Sequence, residues 1–248
     1  DLSGGDITAS GDLAATTTGG SQILLDSAGT ARSHSAQNIS LTSNAASNGI
    51  YIQNASTVVE ATGDGVAGTT LNFDETVNPI ATGSTHSTTG GTAGTITIDG
   101  DFSSIGTVRA LGGDGGEINI TYDGVDLDLT NVTLITAGGG DGVITITNDL
   151  PSGAGNNGTL DAQVGSGTGD ITITTLNGAD ISGTGMNFST GTGDININSA
   201  NNLTLAGIYN SGTGDLIFNA TNNLSSGGDI TLTGASATAS ASSDLTLS

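Results

Sequence analysis

The sequence predicts an all-β fold: a right-handed parallel β-helix with three short strands in each coil. Three observations carry that expectation. The first is a phrase that returns. Residues 165–174 read Gly-Ser-Gly-Thr-Gly-Asp-Ile-Thr-Ile-Thr, 191–198 read Gly-Thr-Gly-Asp-Ile-Asn-Ile-Asn, and 212–219 read Gly-Thr-Gly-Asp-Leu-Ile-Phe-Asn. The second is a two-residue period, apolar–polar–apolar, in nearly every hydrophobic segment, which means one buried face per strand. The third is what separates those segments. Clusters of Gly, Asn, Ser and Asp supply turns and left-handed positions, and no helical period runs between them.

In chain order the strand cores fall at 7–8, 23–25, 39–41, 50–52, 71–73, 96–98, 118–120, 125–129, 144–146, 171–173, 195–197, 203–205, 216–218, 230–232 and 245–247. Their spacing is regular. Asp170 to Asp194 is 24 residues, Asp194 to Asp215 is 21, and Leu203 to Leu224 to Leu245 is 21 twice. Ile96 to Ile118 is 22, Ile118 to Ile144 is 26, and Ile144 to Ile171 is 27. A coil of 21–27 residues holds three strands and three turns, and stacked coils place equivalent residues in columns. The right hand follows from the general crossover preference. An antiparallel sandwich also uses short strands, but it needs no phrase that returns at this interval. It also usually carries more aromatic core than the 3% Phe, Tyr and Trp found here.

Residues 1–248 read as one β-helical segment. Two polar stretches, 27–37 and 75–94, read as projecting loops, and 148–157 with Pro151 as a third. Residues 223–231 (Asn-Leu-Ser-Ser-Gly-Gly-Asp-Ile-Thr) match 1–8 (Asp-Leu-Ser-Gly-Gly-Asp-Ile-Thr). The chain thus opens and closes within one repeat grammar. The expectation is a mature fragment of a longer rod, or a unit that stacks end to end.

Composition narrows the function. Glycine is 42 of 248 residues, with only 2 prolines, which excludes collagen. Asp plus Glu number 24 against 2 Lys plus Arg, a net charge of −22. Nucleic acid and anionic membranes would be repelled, and cations attracted. Cysteine is absent, so no disulfide or thiolate metal site forms. No apolar run approaches the ~20 residues of a membrane span.

At 191–198, followed by Asn201-Asn202-Leu203-Thr204-Leu205, the chain resembles the repeats of filamentous-haemagglutinin-like bacterial exoproteins of two-partner secretion, with related autotransporter passengers and giant adhesins. The likeness covers most of 94–248 well and 1–93 more loosely. It implies a β-helical shaft at the bacterial cell surface, exported across an outer membrane, that serves adhesion or matrix building. Its implied partners are neighbouring coils or other copies, and cell-surface glycan or protein. The repeat is structural and carries no functional residues over. The secretion domain of that family is not recognisable here.

The expectation is therefore a non-enzymatic chain. Polysaccharide lyases also use parallel β-helices, but they resemble a groove with clustered carboxylates, calcium and a basic proton acceptor. Here the cations are Arg32 and Arg109, and His34 and His86 read as solvated loop residues. Asp126 and Asp128 stand at i, i+2 on one strand face and read as solvent-facing acids. Calcium is the candidate ion. The Gly-rich runs 112–117 and 138–142 resemble the nonapeptide calcium repeat without completing it. Asp170, Asp194 and Asp215 should stack one coil apart and are the candidate metal ladder. The favoured reading gives each of them an Asx-type bond to a backbone amide two residues on. Thr97, Asn119, Thr121, Thr145, Thr147, Thr172, Thr174, Asn196, Asn198, Thr231 and Thr233 should face outward. Such ladders suit solvated strands, and equally ice, glycan or another rod.

Overall fold

The computed structural model describes residues 1–17, 21–43, 49–63, 69–76, 85–89, 94–100, 107–111, 116–122, 132–137, 143–148, 156–157, 160–164, 169–176, 180–182 and 186–246. Among them there is no helix. Every strand pair among them is parallel, and the one antiparallel contact is an isolated bridge, Ser27 to Thr30. The architecture is the right-handed parallel β-helix.

The longest uniform face is a ten-stranded sheet. Its strands are Leu13–Thr17, Ile39–Ser43, Thr69–Thr76, Gly94–Gly100, Gly116–Tyr122, Val143–Asn148, Ile171–Thr175, Ile195–Ser199, Asp215–Ala220 and Ser236–Ala241. A second face carries Ile7–Thr8, Ser33–Ala36, Val58–Ala61, Thr85–Thr88, Thr107–Leu111, Val132–Ala137, Leu160–Val164 and Met186–Ser189. It continues into the later halves of Leu203–Asn210 and Leu224–Thr233. A third face holds Ile23–Leu24 paired with Ile50–Tyr51, and later Asn156–Asn157, Ile181–Ser182 and Leu245–Thr246. Where the third and second faces join, the register shifts between Leu205 and Gly207. Gly207, at φ 121°, turns that corner.

Register, not strand length, defines the lap. From Ile171 to Ile195 is 24 residues, and from Ile195 to Leu216 is 21. The lap from Ile39 to Leu71 is 32, longer than the 21–27 read from the sequence. That lap holds 44–48 and 64–68, which lie outside the described residues.

Two inward columns on the long face make most of the core. One runs Ile39, Leu71, Ile96, Ile118, Ile144, Ile171, Ile195 and Leu216, and its neighbour runs Leu41, Phe73, Ile98, Ile120, Ile146, Ile173, Ile197 and Phe218. Each is essentially buried. β-branched side chains stack well on a pleated surface, and each buried one contributes roughly 1.5–3 kcal/mol relative to exposure. Near the C-terminal end aromatics take over. Tyr209 lies between Phe188 (5.5 Å between centroids) and Phe218 (5.2 Å, edge on). Burial pushes the Tyr209 phenol well above the usual range, and its O–H donates to the Ala206 carbonyl.

Two expectations are corrected. Residues 27–37 are not wholly a projecting loop, because Ser33–Ala36 is a strand of the second face with His34 and Ala36 buried. Within 75–94, Thr85–Thr88 is likewise a strand, paired with Val58–Ala61 and Thr107–Leu111. Residues 77–84 and 90–93 lie outside the described residues, as do 125–129 and most of 148–157.

Candidate functional site

The recurring Gly-Thr-Gly-Asp phrase is a corner, and its chemistry runs between laps. Asp170 Oδ1 accepts from the backbone N–H of Asp194 at 2.8 Å, and Asp194 Oδ1 accepts from that of Asp215 at 2.7 Å. Asp215 Oδ1 in turn accepts from the Ser236 hydroxyl at 2.9 Å. The Asx-type bond two residues on, expected from sequence, is therefore replaced by a bond one lap on. The reason is geometric. A side chain at a corner of a stacked coil lies beside the equivalent amide of the next coil, and a charged acceptor makes the stronger bond.

The glycines make this stacking close. A Cβ on Gly214 would meet the Gly193 carbonyl, and one on Gly212, whose φ is +59°, would meet that of Gly191. The corner thus keeps glycine at both positions.

The same device recurs elsewhere. Asp6 accepts from the Ser33 amide, and Asp180 from both the backbone and side-chain N–H of Asn202. Asn202 Oδ1 accepts from Asn222 and Asn223, and Asn223 Oδ1 from the Asp244 amide. The fullest case is Asp26, which is 1% exposed. Its carboxylate accepts from the amides of Gln53 and Asn54 and from the Thr57 hydroxyl. In each of these bridges the acid or amide accepts from the lap that follows.

As a metal ladder, Asp170, Asp194 and Asp215 therefore have one oxygen each already engaged. Among the described residues no group of three or more His, Cys, Asp or Glu side chains is placed to hold an ion. The Gly-rich runs 112–115 and 138–142, and Asp126 and Asp128, lie outside the described residues.

His34 corrects the sequence reading. It is fully buried, in an inward column between Ile7 and Val59. Its Nε2 lies 2.6 Å from the Leu25 carbonyl, which only accepts, so Nε2 carries the hydrogen. Nδ1 is buried without a partner. His86 lies on the strand Thr85–Thr88, in register with Val59 and Val108, and its side chain is outside the described residues. Arg32 Nε donates to the Ser3 carbonyl, and Arg109 is exposed on the second face. By register His34 and His86 fall in one column of the second face, two laps apart on either side of Val59.

The outward residues form two columns on the long face. One is Thr97, Asn119, Thr145, Thr172, Asn196 and Ile217, and the other Thr121, Thr147, Thr174, Asn198 and Asn219. All are half-exposed. Neighbours partly satisfy one another. Asn219 Nδ2 donates to Asn198 Oδ1 at 2.8 Å, and Ser240 Oγ to Asn219 Oδ1 at 2.6 Å. Thr231 and Thr233 lie instead on the second face, exposed in the strand Leu224–Thr233.

Sequence reasoning missed the acceptor ladder's true partner and an open groove of about 450 Å³ at the end of this face, beside Leu176, Asn198 and Asn219. The exposed Leu176, 39% accessible after a strand of alternating Ile and Thr, was the signal available. No family model, curated protein or solved structure matches this chain.

Proposed function

We propose that the chain is a length of non-enzymatic structural shaft from a large exported protein of filamentous-haemagglutinin type, at the bacterial cell surface. In this reading it serves adhesion or filament assembly by holding a binding element away from the cell. The observation that supports it most is the uniformity of the joints. The same two core columns recur lap after lap, the corner bridge links successive laps from Asp170 to Ser236, and the outward column residues are mostly short polar side chains. Stacked parallel ladders joined this way make a stiff, one-dimensional body. Its partners are then the adjoining laps of the same polypeptide or other copies.

The test is an in-frame excision of 1–248 from the exported protein, with fibre length read by electron microscopy and adhesion by cell binding. Ten strands at ~4.8 Å predict a fibre shorter by about 48 Å, with the bound target unchanged. Loss of adhesion at unchanged fibre length would assign the segment to binding instead.

A further inference from the structure

The groove at the end of the long face has the chemistry of a saccharide site, and we propose that it binds a neutral sugar chain. This inference stands independently of the shaft reading. The groove runs along the solenoid axis across four laps, from Leu176 to Ser242, where the outward Asn198 and Asn219 meet the corner that carries Leu176, Ala200 and Thr221. It is a shallow, open groove, the shape that receives an extended chain along its length rather than an enclosed small molecule.

Three features select the ligand class. First, the lining carries no charged side chain, in a protein of net charge −22. On the strand Asp215–Ala220, the nearest outward acid is four residues from Asn219, ~13 Å along the chain. The lining offers a cation no carboxylate, and an anion is repelled by the whole protein.

Second, the free polar groups of the groove are donors. The Asn198 carbonyl accepts from Asn219, and the Asn219 carbonyl from Ser240. Those bonds leave the Asn198 amino group and one N–H of Asn219 free, one lap (~4.8 Å) apart. The Thr175, Ser199 and Thr221 hydroxyls are already tied to backbone, through the Ala200 amide, the Asn202 carbonyl and the Ser199 carbonyl. The free groups therefore ask for ligand oxygens as acceptors, repeated on the scale of a pyranose ring.

Third, Leu176 and Ala200 give the groove an apolar wall, which suits the C–H face of a sugar ring or an acetamido methyl. A peptide lacks a comparable mode here. The groove crosses strands whose backbone groups are spent on the sheet, so it offers no edge for strand addition.

The probes are cellobiose, N,N′-diacetylchitobiose and a uronic-acid disaccharide, titrated at millimolar concentration into the ¹⁵N-labelled chain. The expected result is saturable shifts at 174–176, 198–200 and 219–221 with one or both neutral sugars and none with the acidic one. Asn198→Ala removes the free amino group, and binding should weaken about tenfold, the worth of one well-placed hydrogen bond. Leu176→Asp acts at an exposed position, so the fold survives it, and it should abolish the shifts. The proposal is overturned if neutral sugars perturb nothing, if only the acidic sugar binds, if the shifts lie elsewhere, or if binding survives Leu176→Asp.

Discussion

Replacing Asp194 by alanine tests the inter-lap bridge directly. The carboxylate accepts from the Asp215 amide at 2.7 Å, while the Asp194 amide itself donates to Asp170 at 2.8 Å. Alanine removes the first bond and leaves the second in place. A hydrogen bond to a charged acceptor is worth about 1.5–3 kcal/mol, but Asp194 is half-exposed and water replaces part of it. The expected loss is about 1–2 kcal/mol, or roughly 2–8 °C in Tm for a chain of this length. Asp194→Asn keeps an oxygen at Oδ1 and should lose less than half as much. Hydrogen exchange gives the local readout, with the Asp215 amide exchanging about 5–30 times faster in the alanine variant and amides three laps away unchanged. If asparagine were as damaging as alanine, or if Asp215 exchange did not respond, the bridge would not be the source of the corner's stability.

Further outcomes follow from other contacts. Gly214→Ala drives a methyl into the Gly193 carbonyl and should destabilise by about 3 kcal/mol or more, while Gly29→Ala, with open space around it, should melt like the parent. The buried Tyr209 keeps its proton at pH values where the unfolded phenol, near 10, has lost it. Its contribution is complete below about pH 10 and is lost as pH rises above it, so Tyr209→Phe should flatten the alkaline decline seen in chemical denaturation. Melts in calcium and in chelator should coincide, since the ladder oxygens Oδ1 of Asp170 and Asp194 are already bonded to amides. A higher Tm in calcium would return those residues to metal binding.

The long face is legible in the sequence because its alternation is strong. Ile96-Thr97-Ile98 and Ile171-Thr172-Ile173 can bury only one side. The second face is less legible because its inward column mixes large apolar residues such as Val59, Val108 and Phe188 with small or polar ones. Ser33–Ala36 turns His34 and Ala36 inward, and Thr85–Thr88 turns Thr88 inward, where a period-two reading finds no hydrophobic stripe. Such residues stay buried because another side of the same coil supplies a partner, as Leu25 does for His34 from nine residues earlier. That information lies beyond the local window of a strand of four residues. The Asp ladder shows the same limit. Its period is visible, but the amide that each carboxylate meets is 21 or 24 residues on, and a local turn rule looks only two ahead.

The one-way direction of the Asp and Asn bridges has a consequence for growth. Each finished coil presents a row of ready acceptors, and the next segment of chain needs only ordinary amides to settle on it. The molecule is thus written like a screw thread, extended from one end on a template that every added turn renews. Because each joint uses the same chemistry, whole turns can be duplicated or deleted without inventing a new interface. Length becomes a quantity that inheritance can adjust in single steps.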